Sequence, residues 1–243
     1  MSYVLIIGAK SDIAKEIARV YAKNGYNLYL AARDSSELED LKTDIEVRSG
    51  VEVELKEFDI TAYETHQSFY DTLDEKPLGV VVVSGYMVEQ KLAQKDWVES
   101  LQTINVNYTG AVSILNIIAN DFEKERRGFI VGVSSVAGDR GRAANYIYGS
   151  AKAAFTAYLG GLRNRLYKSG VSVLTVKPGF VNTKMTENLD LPEKLTAEPL
   201  DVAEDIYSAQ QKGKNVLYTK SIWFLVMFII KHIPEFIFKK MSI

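Results

Sequence analysis

The sequence predicts an α/β fold: one doubly wound parallel sheet in a single domain. Three observations carry that expectation. Short apolar runs rich in Val, Ile, Leu and Tyr recur along the chain. Near-continuous runs of this kind suit parallel strands buried on both faces. Segments with helical apolar spacing lie between them, and strand–helix alternation gives right-handed crossovers and helices on both sides of a sheet. The third observation is size and composition: 243 residues, 47% hydrophobic and 25% charged, suit one α/β domain and exclude disorder and fibrous repeats.

Strands are expected at Tyr3–Ile7, Leu28–Ala32, Val51–Leu55, Leu78–Val83, Phe129–Val133 and Val171–Val176. After the first, Ile13, Ile17, Val20 and Tyr21 form one helical stripe, and Leu101, Ile104, Tyr108, Val112, Leu115 and Ile118 form another. No linker or internal repeat divides the chain before residue 220. Beyond it the pattern changes. Nine apolar residues, Ile222 to Ile230, precede Lys231, His232 and Pro234, and Phe236-Ile237-Phe238 precedes Lys239 and Lys240. A membrane-spanning helix needs about 20 apolar residues, so this segment does not span alone. The expected division is a domain over 1–220 and a hydrophobic, helical tail over 221–243. Two readings of the tail stand: a segment lying in a bilayer interface, or a helix closing the substrate pocket or a subunit interface.

Charge and ligand inventory exclude several functions. Lys plus Arg is 29 and Asp plus Glu is 31, a net charge of −2, so the broad positive field of a nucleic-acid binder is missing. The absence of cysteine excludes disulfides, thiolate nucleophiles and cysteine metal sites. His66 and His232 are far apart and no carboxylate cluster completes a metal site, so no metal is expected. Met1-Ser2-Tyr3 has no basic n-region and the apolar run ends at Gly8, unlike a signal peptide; the cytoplasm is the expected compartment.

Three motifs bear chemistry. The first is Gly8-Ala9-Lys10-Ser11-Asp12-Ile13-Ala14, directly after the first strand. A strand, a glycine and an immediate helix start make a dinucleotide-binding turn, where free N–H groups at the helix start face a pyrophosphate. An ordinary strand–helix turn is the alternative. Asp12 would repel phosphate, so Asp12 or Ser11 is expected to cap the helix with the carboxylate turned away. The second motif is Arg33, at the end of the second strand, where this architecture reads the adenosine ribose. An acid there suits NAD and a base suits the 2′-phosphate of NADP. Arg33 with Lys10 across the turn favours NADP(H) over NAD(H); the alternative is two solvated cations.

The third motif is Ser135, thirteen positions before Tyr148, in Tyr148-Gly149-Ser150-Ala151-Lys152. Positions i and i+4 of a helix share a face. Lys152 is therefore expected to lie near the Tyr148 phenol and lower its pKa. A phenol so tuned protonates a carbonyl oxygen as hydride reaches carbon, and Ser135 hydrogen-bonds the same oxygen from the carboxyl end of a strand. Arg140 and Arg142 lie between Ser135 and Tyr148, on the ligand side of the sheet, where they would neutralise a substrate phosphate or remain solvated loop arginines.

On these motifs the chain resembles the short-chain dehydrogenase/reductase family from Gly8 to about Thr183. The resemblance implies a Rossmann-type fold, an NAD(P)-dependent oxidoreductase and a homo-oligomer, a dimer or tetramer. Ser135-Val136-Ala137-Gly138 with Tyr148 and Lys152 matches the family's catalytic segment. Val106-Asn107-Tyr108-Thr109-Gly110 matches its asparagine motif, implying that Asn107 helps hold a water of the proton relay. Phe58-Asp59-Ile60 matches the acidic turn contacting adenine. Pro178-Gly179-Phe180-Val181-Asn182-Thr183 matches the segment in which Thr183 and the Val181 backbone meet the nicotinamide carboxamide. The family's first turn, T-G-x-x-x-G-x-G, departs here to Ile7, Gly8, Asp12 and Ala14, and its N-N-A-G motif to Val82-Val83-Ser84-Gly85. Within the family, Ile104–Thr109, Arg140–Asn145, Lys231–Pro234 and the tail resemble the keto-sugar reductases of decaprenylphosphoryl-ribose epimerisation. That implies a polyprenyl-phosphate-linked 2-keto-pentose as substrate. A reductase or dehydrogenase of a soluble carbonyl or alcohol, and a non-catalytic NADP-binding interaction protein, are the alternatives.

Overall fold

The computed structural model describes residues 1–187 and 190–241. In chain order the elements are β1 (Tyr3–Ile7), α1 (Asp12–Lys23), β2 (Asn27–Ala32), α2 (Glu39–Ser49), β3 (Val53–Glu57), α3 (His66–Asp71), β4 (Gly79–Val82), α4 (Gln90–Ala93), α5 (Trp97–Ile104), α6 (Gly110–Glu125), β5 (Phe129–Val133), α7 (Tyr146–Leu166), β6 (Ser172–Pro178), β7 (Phe180–Val181), β8 (Thr196–Ala197), α8 (Pro199–Gln211), β9 (Val216–Thr219), α9 (Ile222–His232) and α10 (Glu235–Phe238). The main sheet runs β3-β2-β1-β4-β5-β6-β9 with every neighbouring pair parallel, a Rossmann-type arrangement. Strand order reverses between β1 and β4, and this switch point is where open parallel sheets take their ligands.

The apolar strands are explained by burial on two sides. Val4 and Ile6 of β1 join one core with Ile17, Leu30, Val131 and Ile206, whereas Leu5 and Ile7 join a second with Ile114, Ile118, Phe155 and Leu159. With both faces covered, alternation disappears from the sequence.

The structure differs from the sequence reading in three places. β3 lies two residues later than expected, because this edge strand is only half-buried and carries Lys56 and Glu57 within the ladder. β9 closes the other edge; its four residues, beginning with an exposed Val216, carry too little apolar signal to mark a strand. The helical stripe over 101–118 is α5 and α6 joined through a π-helical segment, Asn105–Thr109. Among the described residues no helix is long and apolar enough to cross a membrane.

Candidate active site

The residues expected to hold the cofactor gather at the switch point. Gly8 ends β1 with φ at +85°, and a Cβ there would lie 2.7 Å from the Ser84 nitrogen. Glycine is therefore required by both conformation and space, and its absent side chain lets Ser84 close against the first turn. Ser11 caps α1, its Oγ accepting from the Ala14 N–H at 3.1 Å. The Asp12 and Ile13 amides, first in the helix, have no intrahelical acceptor and stand at its positive end. The Asp12 carboxylate is turned aside: Oδ2 accepts from the Lys184 N–H at 2.9 Å. Ser11 thus supplies the cap, and Asp12 reaches across to a distant segment.

Arg33 and Lys10 do not converge as two free cations. Lys10 Nζ lies 2.7 Å from Glu37 and 3.8 Å from Asp34, so its charge is paired on the protein. Arg33 is exposed and close enough to Asp59 to help hold that carboxyl below its ordinary range. Burial opposes this, but the Thr61 N–H and hydroxyl, at 2.8 and 2.7 Å, outweigh it with Arg33. Ile60 is buried beside this turn. Glu57, unmarked in the sequence reading, accepts from the Asp34 and Ser35 N–H groups, both at 2.9 Å, and fixes the loop carrying Arg33. His66 is fully buried, its ring nitrogens 2.9 Å from Ser113 Oγ and 3.2 Å from the Asp59 carbonyl; it buttresses the turn at Asp59.

Ser135, Tyr148 and Lys152, the residues expected to transfer the proton, come together at the carboxyl end of β5. Ser135 is extended, and its Oγ accepts from the Ala137 N–H at 3.1 Å. The neighbouring Ser134 Oγ donates to the Lys152 carbonyl at 2.9 Å, locking α7 against this strand end. Tyr148 is half-buried in the first turns of α7. Lys152 is 3% exposed; its Nζ donates to the Val133 carbonyl at 3.1 Å and stands 5.8 Å from the centroid of the Tyr148 ring. Asn107 sits in the π segment, its Nδ2 donating to the Tyr86 carbonyl at 2.6 Å and the Thr103 carbonyl at 2.8 Å. Such single π turns recur at functional sites.

The expected direction of the tyrosine shift is reversed here. Burial pushes the Tyr148 phenol up to about 12, with Ser135 hydrogen bonding only partly opposing it. Burial also pushes the Lys152 ammonium down to about 8. Desolvation acts on both groups, and it outweighs the attraction that i, i+4 spacing suggests.

Beyond β6, Pro178 leads into Gly179, where a Cβ would fall 2.0 Å from the Trp223 indole. That glycine is thus demanded by α9 packing on the turn. Val181 pairs with Ala197 in the small β7–β8 sheet, and the Thr183 N–H donates to Thr186 Oγ1 at 3.2 Å. Arg140 does not present a free guanidinium to a substrate phosphate. It donates to the Ile230 and Ile233 carbonyls at 2.6 Å each and to Glu235 Oε2 at 2.9 Å, and it lies 3.6 Å over the Phe238 ring. Those carbonyls end α9, so the arginine holds α9 to α10. Arg142 differs: its buried Nε has no partner among the described residues, nor has the buried Oδ1 of Asn145. Asp139, also unmarked in the sequence reading, is tied by Lys177 and by the Tyr218 hydroxyl, the latter at 2.6 Å, which anchors this loop to β6 and β9.

Sheet, glycine turn and tyrosine–lysine helix together define an NAD(P)-dependent oxidoreductase. Residues 2–194 match the family model described as short chain dehydrogenase, and the chain belongs to that family. A relative from Mycobacterium tuberculosis named as an uncharacterized oxidoreductase is 34% identical, over 98% of this chain and 96% of its own. Another, from Streptomyces coelicolor, is 30% identical over 99% and 96%. Among solved structures, a short-chain dehydrogenase from Sphingobium yanoikuyae in complex with NADPH superposes with a TM-score of 0.84 at 24% identity, over 97% of each chain. The bulky-bulky ketone specific alcohol dehydrogenase from Comamonas testosteroni superposes at 0.81 and 21%, over 97% and 96%.

Proposed function

We propose that this chain reduces a ketone with NADPH, with Tyr148 as proton donor. The observation that carries the reading is the meeting of Ser135, Tyr148 and buried Lys152 at the carboxyl end of β5. The Gly8 turn and the free α1 amides fit a dinucleotide pyrophosphate, and Arg33 is the reason to favour NADPH over NADH. The cofactor supplies hydride to the carbonyl carbon. The Tyr148 phenol, protonated throughout the neutral range, gives its proton to the carbonyl oxygen while the Ser135 hydroxyl hydrogen-bonds that oxygen. Lys152, fixed by the Val133 carbonyl, stabilises the resulting phenolate, and Asn107 supports the water that returns a proton to it.

The substrate on this reading carries hydroxyl and anionic groups, finally a polyprenyl-phosphate-linked 2-keto-pentose. Arg142 Nε and Asn145 Oδ1 support it, because buried polar atoms left unpaired are costly unless a ligand satisfies them. Peripheral attachment through residues 221–243 and a dimeric or tetrameric assembly belong to the same reading. The test is NADPH oxidation followed by absorbance, with the lipid-linked keto-pentose beside soluble ketones and Tyr148→Phe as control. Turnover confined to the lipid-linked sugar supports the full reading. Turnover of soluble ketones alone keeps the reductase and discards that substrate. Turnover by Tyr148→Phe at the wild-type rate, or no turnover of any ketone, overturns the proposal.

A further inference from the structure

α9 and α10 present apolar residues in two opposite directions. The inward face is used: Trp223 and Met227 are buried against Val136, with Phe180, Leu195 and Tyr218 packed around them. The Trp223 Nε1–H also donates to the Leu195 carbonyl at 3.0 Å. The outward face is mostly uncovered among the described residues; Tyr218 lies edge-on to the Phe224 ring at 5.7 Å. Phe224, Leu225, Phe228 and Ile229 follow the i, i+1, i+4, i+5 spacing of one helix face, and Phe224 is 61% and Phe228 54% exposed. Phe236, 66% exposed, and Ile237 extend the surface onto α10. Isolated exposed apolar side chains are ordinary, but a contiguous patch marks a contact surface.

Charge selects what covers it. Lys231, Lys239 and Lys240 are exposed around this face and pair with no acid among the described residues. The acid between them, Glu235, is already neutralised by Arg140 at 2.9 Å. A local cationic rim stands out on a chain of net charge −2. Aromatic and aliphatic side chains flanked by lysines are the chemistry of a helix lying in the headgroup region of an anionic bilayer. The eleven residues of α9 extend about 16 Å, which suits lying in the interface and not crossing it.

We propose that the outward face of α9–α10 docks the protein, in plane, on an anionic lipid surface. The docking rests on the peripheral attachment proposed above and deepens it, but it is argued from the tail's own geometry and not from the identity of the substrate. Arg140 pre-forms the surface by clamping the end of α9 to Glu235 and Phe238, so docking requires little ordering of the chain.

The test is flotation of the full-length protein with phosphatidylcholine vesicles and with phosphatidylcholine–phosphatidylglycerol vesicles. At least about tenfold more protein is expected on the anionic vesicles. Phe228→Ser/Phe236→Ser is expected to abolish flotation. Lys231→Glu/Lys239→Glu/Lys240→Glu is expected to erase the preference for anionic lipid. Unchanged thermal melting of both variants shows that the fold is intact. Wild-type protein that stays unbound on anionic vesicles, or a Phe variant that floats like wild type, overturns the proposal. So does sedimentation in which the Phe variant converts a dimer to a monomer while no form binds vesicles, because a second copy then covers the face.

Discussion

The Asp12 carboxylate accepts a hydrogen bond from the Lys184 N–H at 2.9 Å, joining the start of α1 to the segment beyond the Pro178-Gly179 turn. The two residues are 172 positions apart in sequence. The carboxylate stands where the family's turn has a glycine, yet it faces away from the helix amides. Its acceptor oxygen thus straps the segment after β7 across the dinucleotide turn. Asp12→Ala is predicted to loosen that segment, with tryptic cleavage after Lys184 accelerated about threefold to tenfold, in line with an exposed hydrogen bond to a charged acceptor. Asp12→Asn keeps an acceptor oxygen and is predicted to cleave nearly as slowly as wild type. Equal cleavage of all three proteins would show that the strap does not hold the segment.

The pH dependence of reduction follows from two desolvated groups of α7, the phenol of Tyr148 and the ammonium of Lys152. Tyr148 keeps its proton up to about pH 12, so it limits no part of the ordinary range. Lys152 is charged only below about 8. The reduction rate is therefore predicted to be level at neutral pH and to fall as pH rises through about 8, with one limb set by the lysine. Lys152→Met is predicted to lose that limb and about a hundredfold or more of the rate. A wild-type profile that stays level to pH 10 would remove Lys152 from the proton step.

The same lysine predicts an effect on stability of known sign. Its ordinary value is 10.5 and its folded value about 8. Between those values the unfolded chain holds a proton that the folded chain has released, so this group adds stability as pH rises through the window and subtracts it below. The full swing is about 3 kcal/mol. Lys152→Met is therefore predicted to be more stable than wild type at pH 7, with the difference narrowing towards pH 10. Denaturant unfolding of both proteins at the two pH values measures it. A difference that does not change with pH would show that Lys152 titrates normally in the fold.

Much of this architecture was legible in the sequence because burial on both sheet faces writes continuous apolar runs. β1 and β5 have the bounds their runs suggest, whereas β3 and β9 drift or vanish because edge strands carry less of that signal. The nearness of Tyr148 and Lys152 was legible from spacing alone. Their titration was not, because spacing shows proximity and not desolvation. Arg140 illustrates a second limit. A loop arginine near a ligand-side strand looks like an anion ligand, but the α9 carbonyls that engage it lie about 90 residues further on. Lys177 did leave a signal, a lone charge ending an apolar strand, which points to a buried partner such as Asp139.

Arg140 and Arg142 are predicted to separate in function. Arg140→Ala removes the clamp on the end of α9 and is predicted to lower stability by about 1–3 kcal/mol, read from denaturant unfolding. Inorganic phosphate is predicted to inhibit reduction by engaging the Arg142 Nε left unpartnered among the described residues, and Arg140→Ala is predicted to leave that inhibition unchanged. Arg142→Ala is predicted to do the reverse, relieving an unpaired buried donor while weakening phosphate inhibition several-fold. If Arg140→Ala abolished phosphate inhibition without loss of stability, the tail contacts would not be its main role.

Cofactor choice gives the last prediction. Lys10 is paired with Glu37, so Arg33 carries most of the free positive charge at the end of β2. Glu57 fixes the backbone that follows Arg33 through the Asp34 and Ser35 amides, and on the proposed reading the Arg33 guanidinium is the group that meets a 2′-phosphate. Arg33→Ala is predicted to raise the KM for NADPH about tenfold or more while leaving that for NADH within about twofold, because only the phosphate contact is lost. Glu37→Gln leaves Lys10 only its longer contact to Asp34 at 3.8 Å and is predicted to shift preference further towards NADPH, which distinguishes a charge effect from disruption of the loop. Matched kcat/KM measurements with both cofactors decide it. Equal losses for NADPH and NADH in Arg33→Ala would mean that the arginine supports the loop and does not read the phosphate.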